Sequence, residues 1–141
     1  MGPLKSSRTE DCPDSPLPQP AQLDIRPLLG TWVNTNASGW GIAKVIISEE
    51  KNGAYIEAFG SGSPALIEWG KRPLSTIYAK DVGSSTAMAF DAQYDLEFMD
   101  VRMEGNCNLG LLVLACLNVF KDGSGRSNYF SREFFGRKET V

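Results

Sequence analysis

Few side chains in this 141-residue chain could do chemistry, because it contains no histidine. Imidazole is the commonest acid, base and metal ligand near neutral pH, so most hydrolase and zinc-enzyme mechanisms lose their usual centre. Two polar residues stand among apolar neighbours: Glu57 lies between Tyr55 and Phe59, and Asn118 follows a long apolar run. Burying such a group without a partner costs on the order of a few kcal/mol, so each would be there to meet something. Either could bind a polar group of a ligand, and a buried Glu57 with a raised pKa could act as an acid. Turned outward, Glu57 is solvated surface, and no other catalytic acid or base is assigned. The mixed charges Asp95, Glu97, Asp100, Arg102 and Glu104 read as one exposed sheet face. There is no GxSxG elbow, Walker loop or dinucleotide fingerprint, and Gly60-Ser61-Gly62 reads as a turn between strands. With neither histidine nor clustered cysteines, no metal site and no cofactor are expected.

The elements that must position these residues are strands. From Gly30 onward the sequence alternates over short stretches, punctuated by turn residues, as in an all-β meander or barrel. Eight or nine strands are expected, with approximate spans 30 to 35, 40 to 48, 54 to 60, 66 to 72, 75 to 81, 85 to 93, 95 to 104, 109 to 120 and 127 to 136. Asn52-Gly53 is the strongest hairpin signal, since both residues tolerate positive φ. So many antiparallel strands joined by short links favour a closed up-and-down barrel, which removes exposed edges. About eight strands enclose room for packed side chains or one small ligand. Alternate residues give one lining face: Trp40, Tyr55, Glu57, Phe59, Trp69, Met88, Phe90, Met99, Val101 and Met103. A slip of one residue reverses any strand's contribution. The competing reading is that these aromatics and methionines fill a dry core.

Residues 1 to 27 hold six of the eight prolines and form an extended leader, leaving residues 28 to 141 as the barrel domain. The leader is either a solvated tail or, through Leu17, Leu23, Ile25, Leu28 and Leu29, a lid over the barrel mouth. Residues 21 to 29 have room for one helical turn or two. A formal charge of -3 without a basic cluster argues against nucleic acid as a partner on electrostatic grounds. The apolar run 109 to 119 is too short to cross a bilayer as a helix, so no membrane partner is expected. Cys12, Cys107 and Cys116 form an odd set without CxxC spacing, which suits a reducing, cytoplasmic location. A Cys107 to Cys116 bridge would need the two to face each other. A homodimer is left open.

Gly30-x-Trp32 on the opening strand resembles the signature of lipocalin and wider calycin barrels. That resemblance implies that Trp32 closes the barrel floor and that a late-strand arginine, here Arg132, packs over its ring. Such stacking contributes about 0.5 to 2 kcal/mol, a structural role. Gly30-Thr31-Trp32-Val33-Asn34, Ala58-Phe59-Gly60, Glu68-Trp69-Gly70 and Asp122-Gly123-Ser124-Gly125-Arg126 are similar to small actinobacterial lipocalin-like proteins across residues 28 to 137. The stretch from Gly60 to Glu68 departs from that family, which carries a cysteine pair near there. Size and leader also resemble the small barrels that form spirotetramate and spirotetronate rings by [4+2] cycloaddition. This resemblance implies a cyclase that folds a linear polyketide-type substrate inside an apolar cavity. Orientation alone can contribute roughly 7 to 11 kcal/mol to an intramolecular reaction, so a chain without histidine is compatible with that work. The alternatives are a carrier of a small hydrophobic molecule, and a filled barrel acting through a protein interface.

Overall fold

The computed structural model describes residues 23–36, 41–63 and 65–139. Nine strands form one antiparallel sheet: β1 (Gly30–Asn34), β2 (Ile42–Glu50), β3 (Gly53–Gly60), β4 (Ile67–Pro73), β5 (Thr76–Ala79), β6 (Ala87–Asp95), β7 (Met99–Asn108), β8 (Leu111–Phe120) and β9 (Tyr129–Arg137). Their spatial order is β4-β3-β2-β1-β9-β8-β7-β6-β5, so the first strand pairs with the last and the sheet curls into a half-barrel. The expected complete closure is not formed, because β4 and β5 are the two free edges. Both edges are poor partners. Pro73 ends β4 without a donor, β5 is only 4 residues long, and β4 is exposed along almost its whole length.

Alternation explains most of the registers. On β7, Met99, Val101, Met103 and Gly105 point inward while Asp100, Arg102 and Glu104 face solvent. The inner face of the described strands is packed with Trp32, Val45, Ile47, Ile56, Phe90, Met103, Leu112, Leu114 and Phe135. Gly105 is part of that packing, since a Cβ there would lie 2.5 Å from two atoms of the Phe90 ring. The β2–β3 hairpin forms one residue earlier than expected: Glu50 pairs with Gly53, so the loop is Lys51-Asn52, and the positive φ belongs to Gly53. The β7–β8 loop is Leu109-Gly110 with both φ angles positive, a conformation that Leu109 adopts fully exposed.

One end of the half-barrel is plugged. A single 3-10 turn over Arg26–Leu28 lays Leu28 into the core, and its carbonyl accepts from Trp32 Nε1 at 2.9 Å. The arginine over Trp32 is Arg137, 4.4 Å from the ring centroid, rather than Arg132. Register decides this: Arg137 pairs with Trp32 across β1 and β9, whereas Arg132 pairs with Ala115 on β8 and lies over Phe134 at 5.5 Å. Arg137 also donates to Pro27 O at 2.5 Å. Gly30 is needed here for its φ of +128°, which L side chains rarely adopt; a Cβ would meet Arg137 Nε only at ordinary contact distance, 3.4 Å. Leu23, Ile25, Leu28 and Leu29 therefore cover this floor and not the opposite mouth. Residues 1–22, with Leu17 and Cys12 of the expected lid and leader, lie outside the described residues. Cys107 and Cys116 are both free.

The open seam is held by side chains. Tyr94 on β6 reaches across to β3 and β4, where its hydroxyl accepts from Ala58 N–H at 3.0 Å and lies 2.9 Å from Gly70 O and 3.2 Å from Ile56 O. Arg72 Nε adds a bond to Gln93 O at 3.1 Å. Burial, the largest cause, pushes the Tyr94 hydroxyl up to about 12.

Candidate functional site

The inward residues of β8 and β9 change character along the strands. Leu112, Leu114 and Phe135 fill the floor half, and Cys116, Asn118, Ser131, Glu133 and Tyr129 follow toward the mouth. Opposite them stand Gly41, Ile42 and Trp69, and these walls together with Arg132 line a half-open recess of about 330 Å³. That lies at the small end of the range for ligand pockets. Trp69 enters through a β-bulge: Ala58 pairs with Gly70 and Phe59 with Glu68, so Trp69 is the extra residue. Its ring meets Tyr94 edge-on with centroids 5.6 Å apart, over Gly60, where a Cβ would come within 2.7 Å of Trp69 Nε1.

The polar groups at the mouth include both donors and acceptors, Arg132 among them. Asn118 is only 3% exposed, and its Nδ2 donates to Tyr129 O at 3.2 Å and to Cys116 O at 3.4 Å. Glu133 accepts from Asn34 Nδ2 at 3.1 Å through Oε2. The Cys116 thiol is pushed up to about 12, first by burial and also by the Glu133 charge, against a hydrogen bond from Ser131. At neutral pH it is a protonated, unreactive thiol.

Of the sequence-derived lining, Trp69 reaches this recess. Phe90, Met99, Val101 and Met103 point inward but belong to the packed core. Tyr55, Glu57 and Phe59 lie on the outer face of β3, because the small residues Ala54 and Ala58 and the branched Ile56 turn inward. There Lys71 caps the Tyr55 ring at 5.1 Å and Lys44 the Phe59 ring at 4.6 Å. Glu57 pairs with Ile46 and Lys71 on that outer face, so it is not an acid inside the half-barrel. Met88 falls at the irregularity where Tyr78 pairs with Ala89 and Ala79 with Ala87, away from the recess. Trp40 lies outside the described residues. Sequence reasoning found Asn118 but missed Ser131, Glu133 and Cys116. The signal was available as the period-two continuation of Phe135 along β9 and of Leu114 along β8.

A second hollow of about 330 Å³ lies at the seam, lined by Arg72, Gln93, Tyr94, Asp95, Asp100, Val101 and Arg102. Its charges are already engaged, since Lys121 bridges Asp95 at 2.7 Å and Asp100 at 2.9 Å. Among the described residues no group of three or more His, Cys, Asp and Glu side chains is placed to hold a metal ion. No described helix is long and apolar enough to cross a membrane. No family model, curated protein or solved structure matches the chain.

Proposed function

We propose that this protein is a lipocalin-like binder of a small, largely apolar molecule, held in the mouth recess of the half-barrel. The observation that carries this reading is the recess itself: about 330 Å³ walled by Trp69, Ile42 and Tyr129, with the buried Asn118 amide at its base. An apolar wall with a few convergent polar groups is the usual make-up of a small-molecule site. The lipocalin-like architecture is supported by the floor, where Arg137 stacks on Trp32 beneath the 3-10 turn. Binding is preferred over catalysis because the mouth groups form a recognition set. The amide is neutral, the thiol stays protonated, and the carboxylate is already bonded to Asn34.

The test is titration of the full chain with a panel of small hydrophobic molecules, followed by tryptophan fluorescence and by the shift in Tm. Ser131→Phe should fill the recess and abolish binding while the protein stays folded. Binding that survives this change unaltered, or a panel in which no molecule binds, would remove the proposal. [4+2] cyclisation of a linear polyketide-type chain would be this same binding with the guest held folded. It requires a linear diene–dienophile substrate to cyclise faster with the protein than without it, and equal rates reject it.

A further inference from the structure

Resting on that reading of the recess, we infer that its occupant is an amine: an apolar body carrying a protonated nitrogen or a comparable cationic donor. The inference comes from which hydrogen-bonding capacity the mouth leaves unused. Asn118 spends its Nδ2 donor on the carbonyls of Tyr129 and Cys116, so the network fixes the amide orientation and leaves Oδ1 without a protein donor among the described residues. That oxygen is not sealed from solvent, so a donor on a molecule in the recess can reach it. Glu133 is bound through Oε2 by Asn34, and Oε1 lies on the Gly41 side, 3.7 Å from where a Cβ at Gly41 would be. No cation pairs with this carboxylate among the described residues. Arg132 lines the recess too but makes no ion pair with Glu133, its guanidinium lying over the Phe134 ring at 5.5 Å, and Lys44 sits on Phe59 on the outer face.

Beside the Ser131 hydroxyl and the Arg132 guanidinium, the recess thus presents an unpaired carboxylate and an amide oxygen, both acceptors, with Trp69 and Tyr129 in its wall. Acceptors within an aromatic frame suit an ammonium group, which gains both charge-assisted hydrogen bonds and attraction to the ring faces. An anionic head group would face the Glu133 charge. A neutral alcohol would satisfy Asn118 and leave the carboxylate unpaired.

Three probes of matched length separate these cases: n-octylamine, 1-octanol and octanoate, titrated into the full chain by calorimetry near pH 7. Octylamine should bind at least about tenfold more tightly than either of the others, a difference in the range measured for close charge pairs. Glu133→Gln keeps an acceptor for Asn34, so it should fold normally and lose the preference for the amine, the amine and alcohol affinities converging. Equal affinity for amine and alcohol, tighter octanoate binding, or a preference retained in Glu133→Gln would overturn the inference and leave the apolar recess standing. Failure of all three probes to bind would overturn the recess and this inference together.

Discussion

Tyr94→Phe removes one oxygen from the seam where the sheet fails to close on itself. The Ala58 N–H, on a residue with no exposed surface, loses its acceptor, and Gly70 O loses its donor across the gap. A buried donor left unsatisfied costs about 1–3 kcal/mol, so the variant should be less stable by about 2 kcal/mol. For a domain of this size that lowers Tm by roughly 8 °C. The pH dependence provides an independent sign. The folded-state Tyr94 pKa is raised from 10.0 to about 12, so the folded protein keeps the proton where the unfolded chain releases it. Its contribution is therefore complete below pH 10 and is lost as pH rises from 10 to 12, by on the order of 2 kcal/mol. Phenylalanine has nothing to titrate. The stability gap between wild type and variant should accordingly be widest near pH 7 and narrow steadily above pH 10. Urea denaturation of both proteins from pH 7 to 11.5 measures this. A gap under about 0.5 kcal/mol at pH 7, or one that stays constant into the alkaline range, would refute the role assigned to the hydroxyl.

Three further outcomes follow from the packing. Gly105→Ala places a methyl group 2.5 Å from the Phe90 ring and 3.0 Å from Leu114, and overpacking should cost about 1–3 kcal/mol in urea denaturation. Arg137→Ala should lose about 1–2 kcal/mol through the Trp32 stack and the bond to Pro27, whereas Arg132→Ala should change stability by less than about 0.5 kcal/mol; the reverse ranking would restore Arg132 as the floor arginine. Cys116, protonated and buried, should react with a thiol reagent at pH 8 only as fast as the sheet opens, so labelling at the rate of a free thiol would contradict its placement.

The fold was legible in the sequence wherever one face of a strand is apolar. Met99, Val101 and Met103 alternate with Asp100, Arg102 and Glu104, and nine strands follow near their expected positions. Register failed on β3, where Tyr55, Glu57 and Phe59 look like a lining and Ala54, Ile56 and Ala58 look like an outer face. Size misled there, since the small inward residues make room for Tyr94 and Trp69. Closure failed because it depends on how β4 and β5 meet, and Pro73 together with the bulge at Trp69 spoils that edge. The site was half legible. Asn118 stood out as a lone polar residue after an apolar run, while Glu133 and Ser131 sit among the charges and aromatics of β9 that read equally well in either register. Arg137 was passed over for Arg132 for the same reason, a choice that only pairing with β1 decides.

Binding at the mouth is tested most directly by mapping backbone amide chemical shifts while n-octylamine is added to the full-length protein. Shifts should concentrate at Ile42, Trp69, Asn118, Ser131 and Glu133 and saturate together. Saturable shifts confined to the floor around Leu28 and Trp32, or to the outer face at Tyr55 and Phe59, would contradict a ligand seated in the recess.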